Sequence, residues 1–517
     1  MIPNRSFFKR LSWGILLLLL LLYGALHALS ILSEHLSTYL FMAFLLAFLV
    51  LFPHLAHAAP MEKTLPSDLS DSQKISGKES FMIKKKNRFL QKKKQYVNPL
   101  GVLISFVAWY EIMPIWSQLV SDYLSTYIYM VLVVIVFVGV MLSDSFHTMI
   151  RYIVLLLPLL LFSFLNLIAN DWGADFKLWA YGTLLDCLPL LFGIYLCHVK
   201  KKLLPFESKM VLAAVSLTAL TTFVGLIRYP SAARLLATED VEMTSLHRTL
   251  NLNNIGGYDF IYLLVLLYPV LIYAYKHKKV KLFPTILLSG VMFFSVLQSE
   301  YTLALLFFVV STVLFFVKRK FGRKDLLILI IVSVLAVVIF WTLVSRLILW
   351  GSQFIESEVM KERLVALAGG KEGLDSIDDR RVDLYLRSVQ AFLQQPFLGR
   401  LTPGSAYLVA GGHSFFLDSL AEFGIVGGIL LFFIYRNAYN LFYRPLEGDE
   451  DYGFIYWCFL LPTILSLLNT GMWGLYLMYV GPLLIRLIRG EEAEPEPAKA
   501  ATPAGPNEAP VQAKEPS

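Results

Sequence analysis

Apolar stretches long enough to cross a membrane recur along almost the whole of this 517-residue chain. A membrane-spanning helix needs about 20 consecutive, mainly apolar residues. The chain is 57% hydrophobic and only 16% charged, whereas a soluble domain carries about 25% charged residues. The stretches are continuous and lack the alternation of a transmembrane β-barrel. We therefore expect an all-α polytopic integral membrane protein, and we exclude a soluble enzyme, a disordered chain and a fibrous repeat.

The apolar stretches predict about 14 transmembrane helices, within a range of about 12–14. The predicted spans cover about residues 11–31, 38–58, 99–117, 123–142, 151–169, 178–197, 210–227, 258–275, two within 282–317, 325–345, 414–435, 453–469 and 472–488. The stretch 282–317 is too long for one span, and Gln298-Ser299-Glu300 is the predicted outer turn between two spans.

Clusters of basic residues between the spans predict the orientation. They lie at 84–88, 200–202, 276–281 and 318–324. By the positive-inside rule these clusters face the cytoplasm, and the span count then puts both termini there too. The net charge of +7 is therefore an orientation signal, and it indicates no nucleic-acid partner.

This topology divides the chain into six segments and includes two long external loops. The segments are N-terminal membrane helices (1–59), a basic cytoplasmic loop (60–98), a central transmembrane bundle (99–345) with an external loop (228–257), a large external loop (346–413), C-terminal membrane helices (414–489) and a disordered cytoplasmic tail (490–517). Long loops between regular elements are where functional residues are often found.

Within the large external loop, residues 378–395 have the apolar periodicity of an amphipathic helix. Two aspartates at its start are predicted N-caps, and a proline follows its end. Arg381 and Tyr385 are four residues apart and share one face of this helix. Arg380 and Arg387 lie on a second, polar face.

Two motifs follow this helix and lead into the next span. They are Gln395-Pro396-Phe397-Leu398-Gly399, and His413-Ser414 followed by Ala421-Glu422-Phe423-Gly424-Ile425-Val426-Gly427. Together with Arg381 and Tyr385, they resemble the O-antigen ligase/polymerase family over about 50 residues. Two weaker similarities to that family lie earlier in the chain, at Arg248 with Asn251-Leu252-Asn253 and at Gln298-Ser299-Glu300-Tyr301-Thr302.

Three positions depart from the family pattern. Ser414 stands where the family has Asn, Leu252 where it has Pro, and Glu300 where the turn often has Arg. The form of the His413 motif is closer to polymerases of capsule or exopolysaccharide loci than to ligases that act on lipid A.

The resemblance implies a GT-C-like helical bundle in the bacterial cytoplasmic membrane, with its active site on the external face. It implies a glycosyltransferase that polymerises undecaprenyl-pyrophosphate-linked repeat units into capsule, exopolysaccharide or O-antigen. The expected partners are that lipid-linked glycan, the lipid bilayer and other polysaccharide-export proteins, and no cofactor is expected.

The candidate residues suit this chemistry. The predicted catalytic residues are His413, which can take the acceptor's proton near neutral pH, and Arg381. The pyrophosphate gains negative charge as the bond to the sugar breaks, and arginine can bind it with two parallel hydrogen bonds. The predicted pyrophosphate ligands are Arg248, Arg381, Arg228, Arg387 and Arg380. The predicted acceptor ligands are Ser414 and Tyr385.

Two alternative functions stay open at this stage. A ligase of the same family would transfer finished glycan to a lipid, wall or protein acceptor. A flippase or transporter of lipid-linked oligosaccharide would explain the many helices, but it leaves the 346–413 loop unexplained, and no duplicated halves are visible in the sequence.

No metal site is predicted, because no His/Cys cluster has metal-ligand spacing. The three cysteines, Cys187, Cys197 and Cys458, lie in apolar segments and are expected to be small core residues. We interpret Asp449-Glu450-Asp451 as a solvated cytoplasmic turn. Glu111 and Asp186 fall within predicted spans, where charged groups are costly and often functional, so their roles stay open.

Overall fold

A computed structural model describes residues 99–142, 146–169, 176–230, 232–236, 244–317, 320–339, 341–353, 358–369, 371–402, 404–405, 408–469 and 474–490. The predicted spans 11–31 and 38–58, the basic loop 60–98 and the tail after Gly490 lie outside the described residues. Within the described part, every regular element is helical and there is no strand. The all-α prediction is thereby confirmed for these residues.

We number the α-helices in chain order. They are α1 (Pro99–Ile112), α2 (Pro114–Leu119), α3 (Ser125–Met141), α4 (Phe146–Ala169), α5 (Phe176–Ile194), α6 (Leu204–Arg228), α7 (Ala232–Leu235), α8 (Thr244–Leu252), α9 (Tyr258–Lys276), α10 (Leu282–Gln298), α11 (Thr302–Val313), α12 (Arg323–Ile339), α13 (Trp341–Ser352), α14 (Glu358–Ala368), α15 (Lys371–Gln394), α16 (Phe415–Ala438), α17 (Tyr452–Leu468) and α18 (Gly481–Arg489). Short π-helical turns adjoin some of these helices, at Val120–Leu124, Tyr195–Val199, Tyr439–Tyr443 and Tyr476–Val480.

Several of these helices are suited to a membrane. Four continuous helical stretches among the described residues are long and apolar enough to cross one by length and composition: Gly182–Val199, Lys201–Arg228, Tyr258–Lys276 and Phe415–Leu446. Large apolar side chains are also exposed on α6, α10 and α12, as lipid contact requires. These features agree with a helical membrane protein, and the total of about 14 spans stays a prediction.

The predicted span 99–117 is not one straight helix. Helix α1 ends at Ile112 and α2 begins at Pro114, and the two axes differ by 102°. Met113 between them has an extended backbone, because the ring of a following proline disfavours the helical conformation. The predicted span 99–117 is therefore bent at Met113, and α1 and α2 together pass the length and composition test for a span.

Helix α9 lies at the centre of the bundle, since nearly every side chain from Phe260 to Ala274 is buried. It packs against α10, α11, α17 and α18. The break between α10 and α11 falls at residues 299–301, so the predicted turn at Gln298-Ser299-Glu300 matches the helix boundaries to within one residue.

The amphipathic helix of the large loop is longer than predicted. Helix α15 begins at Lys371 instead of Asp378, so the aspartates expected to cap it lie inside the helix and that detail is wrong. Its end at Gln394, two residues before Pro396, agrees with the prediction. Helix α15 packs along α16, which also contacts α4 and α17.

Helix α16 is kinked at Gly424, whose φ of 61° is in the left-handed region. The chain after α15 lies against the kink, because the Ile425 N–H donates to the Pro396 carbonyl at 2.8 Å. A Cβ atom on Gly424 would lie 2.4 Å from the backbone of Phe397. Gly399 has a φ of 55°, and a Cβ there would lie 2.5 Å from the Ala421 carbonyl oxygen. The two motifs therefore form one packing unit in which both glycines are needed.

We expect Gly424→Ala to destabilise the protein by about 2–4 kcal/mol, through left-handed backbone strain and displacement of the Phe397 backbone. The measurement is the apparent melting temperature of the detergent-solubilised protein. Gly290→Ala is the matched control, because a Cβ on Gly290 of α10 meets no atom within 4 Å. Equal melting temperatures for the two variants would contradict this account of the kink.

Candidate active site

The segment that carries His413 is fixed to the start of α16 by one carboxylate. Asp418, in the first turn of α16, accepts hydrogen bonds from the Ser414 N–H at 2.9 Å and the Gly412 N–H at 3.2 Å. It also accepts from the Ser388 hydroxyl at 2.6 Å. That serine, on α15, accepts from the Gly411 N–H at 2.8 Å. The amides on both sides of His413 are thereby fixed in place.

Ser414 is the N-cap of α16. Its hydroxyl oxygen accepts from the Leu417 N–H at 3.1 Å, as an N-cap serine does. The same hydroxyl donates to the Leu467 carbonyl at 2.6 Å, and the side chain is fully buried. Ser414 therefore joins α16 to the end of α17. Its predicted contact with the acceptor stays a prediction.

His413 itself is exposed and faces a cavity. Its Nδ1 lies 2.8 Å from the carbonyl oxygen of Gly412, which leaves Nε2 as the outer ring nitrogen. The cavity has a volume of about 710 Å³, which is within the usual range for ligand sites. The polar residues that line it are Glu111, Ser117, Arg234, His247, Asn251, Asp259, Thr302, His413 and Asn469. The aromatic residues that line it are Tyr110, Tyr258, Phe260, Tyr262 and Tyr301.

The cavity lies where several helices begin or end. It is bordered by the end of α1, the starts of α9 and α11, and the residues just after α17. The basic clusters 276–281 and 318–324 follow the other ends of α9 and α11. The cavity and the basic clusters are therefore at opposite ends of these helices.

Three predicted pyrophosphate ligands have described side chains that do not line the cavity. Arg248 is 59% exposed and pairs with Asp122 at 3.1 Å. Arg228, in the last turn of α6, and Arg387, on α15, are also exposed. Arg248 is nevertheless on α8 next to His247, which does line the cavity, so Arg248 lies near the cavity.

The other two predicted arginines, Arg380 and Arg381, lie on α15, and their side chains are outside the described part of the structure. Tyr385, one turn after Arg381, donates its hydroxyl hydrogen to the Leu468 carbonyl at 2.7 Å. Leu468 precedes Asn469, a cavity residue. The turn of α15 that carries Tyr385 is therefore adjacent to the cavity, and Tyr385 itself is held by backbone.

Sequence reasoning missed Arg234, His247 and Asp259, all of which line the cavity. Arg234 lies on the four-residue helix α7, whose length gives no periodic signal. Asp259 lies six residues after the Asn251-Leu252-Asn253 element, so one of the two weaker family similarities did lead to its neighbourhood. Glu111, whose role the sequence left open, also lines the cavity.

The Asn251-Leu252-Asn253 element is anchored through its neighbour Asn254, which is buried with a φ of 55°. The Asn254 amide nitrogen donates to the hydroxyls of Thr218 and Thr221 on α6, at 3.1 and 3.0 Å. Its side-chain oxygen accepts from the Ile115 N–H on α2 at 3.2 Å. Asn254 thus holds α2, α6 and the start of α9 together beside the cavity.

A second cluster lies at the opposite end of α9. His277 Nε2 is 3.1 Å from Asp451 and 4.0 Å from Asp449. Asp449 also pairs with Arg489 at 3.3 Å and accepts from the Tyr273 hydroxyl at 2.8 Å. The interpretation as a solvated turn is wrong for Asp451, which is fully buried. The three candidate ligand atoms lie within 4.8 Å of one another, so these residues could hold a metal ion.

Comparisons of the chain with protein-family models, curated proteins and solved structures each gave no match. The resemblance to the O-antigen ligase/polymerase family therefore remains a prediction.

We expect Asp418→Ala to release the His413 segment, because three hydrogen-bond donors lose their acceptor. Hydrogen–deuterium exchange of the Gly412 and Ser414 amides should accelerate about tenfold, which matches the loss of one good helix cap. In Asp418→Asn, which keeps one acceptor oxygen, the exchange rates should lie between those of Asp418→Ala and those of the native protein. Asp383→Ala, at an exposed position of α15, is the control. Unchanged exchange in Asp418→Ala would show that another contact holds the segment.

Proposed function

We propose that this chain is a membrane glycosyltransferase that polymerises undecaprenyl-pyrophosphate-linked repeat units on the external side of the bacterial cytoplasmic membrane. The observation on which this depends is that His413, the predicted base, lines the same cavity as Arg234. The position of the cavity, opposite the basic ends of α9 and α11, supports an external site under the positive-inside rule.

The reaction is a displacement at the anomeric carbon of the donor glycan. A hydroxyl oxygen of the acceptor repeat unit forms a bond to C1, the bond from C1 to the pyrophosphate oxygen breaks, and the electron pair leaves with the lipid pyrophosphate. His413 takes the hydroxyl proton through its outer nitrogen. Arg234 stabilises the charge that develops on the leaving group. The further candidates for this role are Arg248, beside His247 on α8, and Arg381, one turn before Tyr385 on α15.

The rest of the cavity suits a glycan. Tyr258, Tyr262 and Tyr301 form one aromatic cluster, with ring centroids 4.8 to 5.9 Å apart. Flat aromatic faces pack against the C–H faces of sugar rings, and the carboxylates of Glu111 and Asp259 are acceptors for sugar hydroxyls. A cavity with cationic, aromatic and carboxylate walls can therefore hold both a pyrophosphate and the sugars attached to it.

We expect His413→Ala to lower the rate of glycan lengthening by about 100-fold or more, since the acceptor's base is lost. Arg381→Ala should abolish lengthening as well, because it removes a leaving-group ligand. The measurement is the length distribution of surface glycan in a deletion strain complemented with each variant, with protein level checked by immunoblot. Arg436→Ala is the charge-matched control, because Arg436 is in the last turn of α16, at the opposite end of that helix from His413. Normal long glycan from His413→Ala would overturn its assignment as the base.

The glycan of the deletion strain separates this function from its alternatives. A polymerase predicts single repeat units that are exported but never lengthened. Long glycan left on its lipid carrier would indicate a ligase instead. Repeat units trapped inside the cell would indicate a flippase.

A further inference from the structure

The turn between α10 and α11 puts a buried carboxylate beside the cavity in an uncommon backbone conformation. Glu300 has a φ of 62° and is only 3% exposed. Residues other than glycine seldom adopt this left-handed region, and a carboxylate loses favourable hydration when it is buried. Both features disfavour a glutamate at this position, so a compensating interaction is to be expected.

One such interaction is an ion pair with a cavity residue. Glu300 Oε2 lies 3.4 Å from Nη1 of Arg234, which is 40% exposed and lines the cavity. A guanidinium group has five N–H donors, so one contact with Glu300 leaves donors for an anion. The carboxylate supports the guanidinium from the protein side, and the open side faces the cavity.

The same turn also fixes the backbone from which Arg234 projects. The Tyr301 hydroxyl donates to the carbonyl of Ala233, the residue before Arg234, at 2.8 Å. Ser299 is fully buried, and its hydroxyl donates to the Val296 carbonyl at 2.7 Å. The turn thus holds the chain around Arg234 at two points: Tyr301 bonds the carbonyl of the preceding Ala233, and Glu300 pairs with the Arg234 side chain.

We propose that Glu300 is a positioning residue that directs the guanidinium of Arg234 toward the pyrophosphate of the donor. This inference rests on the proposed function, because it takes the anion in the cavity to be the lipid pyrophosphate. An arginine side chain samples many conformations, and a fixed partner reduces the conformational freedom that it loses on binding. Burying Glu300 in a left-handed turn costs free energy, and its consequence is that Arg234 is already oriented to bind an anion.

The test is a double-mutant cycle on the full-length protein in detergent, with undecaprenyl diphosphate as the probe. Arg234→Ala should weaken binding of the probe by about tenfold or more, the usual loss for a charged hydrogen bond. Glu300→Ala should weaken it in the same direction. The double variant should bind no more weakly than Arg234→Ala alone, because Glu300 acts only through that arginine.

Two further substitutions separate positioning from backbone strain and from charge. Glu300→Gln keeps an acceptor oxygen and should retain more binding than Glu300→Ala. Glu300→Gly relieves the left-handed strain but removes the carboxylate, so it should bind as weakly as Glu300→Ala. Arg436→Ala is the charge-matched control and should bind like the native protein. Thermal unfolding of each variant identifies any that does not fold, and Glu300→Gln then replaces Glu300→Ala in the cycle.

Three outcomes would overturn the proposal, and they are distinguishable from one another. Additive losses in the double variant would mean that Glu300 acts through the fold alone. Tighter binding in Glu300→Ala would make Glu300 a simple counter-charge that weakens the anion site. Native binding in Arg234→Ala would remove Arg234 from the donor site and would count against the proposed function itself, whereas the first two outcomes leave that function standing.

Discussion

Every backbone N–H and C=O group inside a lipid bilayer must find a partner within the protein, because no water is available there. This constraint explains why irregular backbone between helices needs specific hydrogen-bond partners. Asn254 satisfies the Ile115 amide after the bend at Met113. The Pro396 carbonyl accepts from Ile425 at the kink of α16. Irregular backbone in membrane proteins is tolerated where it is buried in protein or lines a cavity. The bend after α1, the start of α9 and the turn before α11 all border the candidate active site.

The same constraint gives a physical meaning to the sequence motifs. Gly399 and Gly424 occur in the two motifs because the chain after α15 and the kinked α16 approach each other too closely for a Cβ atom. Asp418 holds the segment that presents His413. Much of the resemblance to a glycosyltransferase family is therefore a pattern of close packing. The residues of that resemblance that line the cavity include His413, Asn251, Tyr301 and Thr302.

The sequence predicted what depends on local patterns and missed what depends on contacts distant in the chain. Apolar stretches and the 298–300 turn predicted helix positions well, because hydrophobicity and turn residues act locally. Two details differ from the prediction: Pro114 bends a predicted span, and α15 begins seven residues before Asp378. Arg234 could not be paired with Glu300 from sequence, because the two are 66 residues apart. The contact of His277 with Asp451 was invisible for the same reason.

The side chains that line the cavity restrict how the donor of the proposed reaction could bind. A pyrophosphate would be attracted to Arg234, whereas the carboxyl groups of Glu111 and Asp259 in the same cavity offer it no positive charge. Under the proposed function, the donor's phosphates would lie toward Arg234 and the neighbouring helix α8, which carries His247 and Arg248. The sugar hydroxyls would then lie toward Glu111 and Asp259. His413 reaches the cavity from the non-helical segment before α16, separate from α7 and α8. In a displacement, the attacking oxygen and the leaving group must occupy opposite sides of the reacting carbon. A base on an element separate from the phosphate ligands can meet the acceptor hydroxyl on the side away from the leaving group.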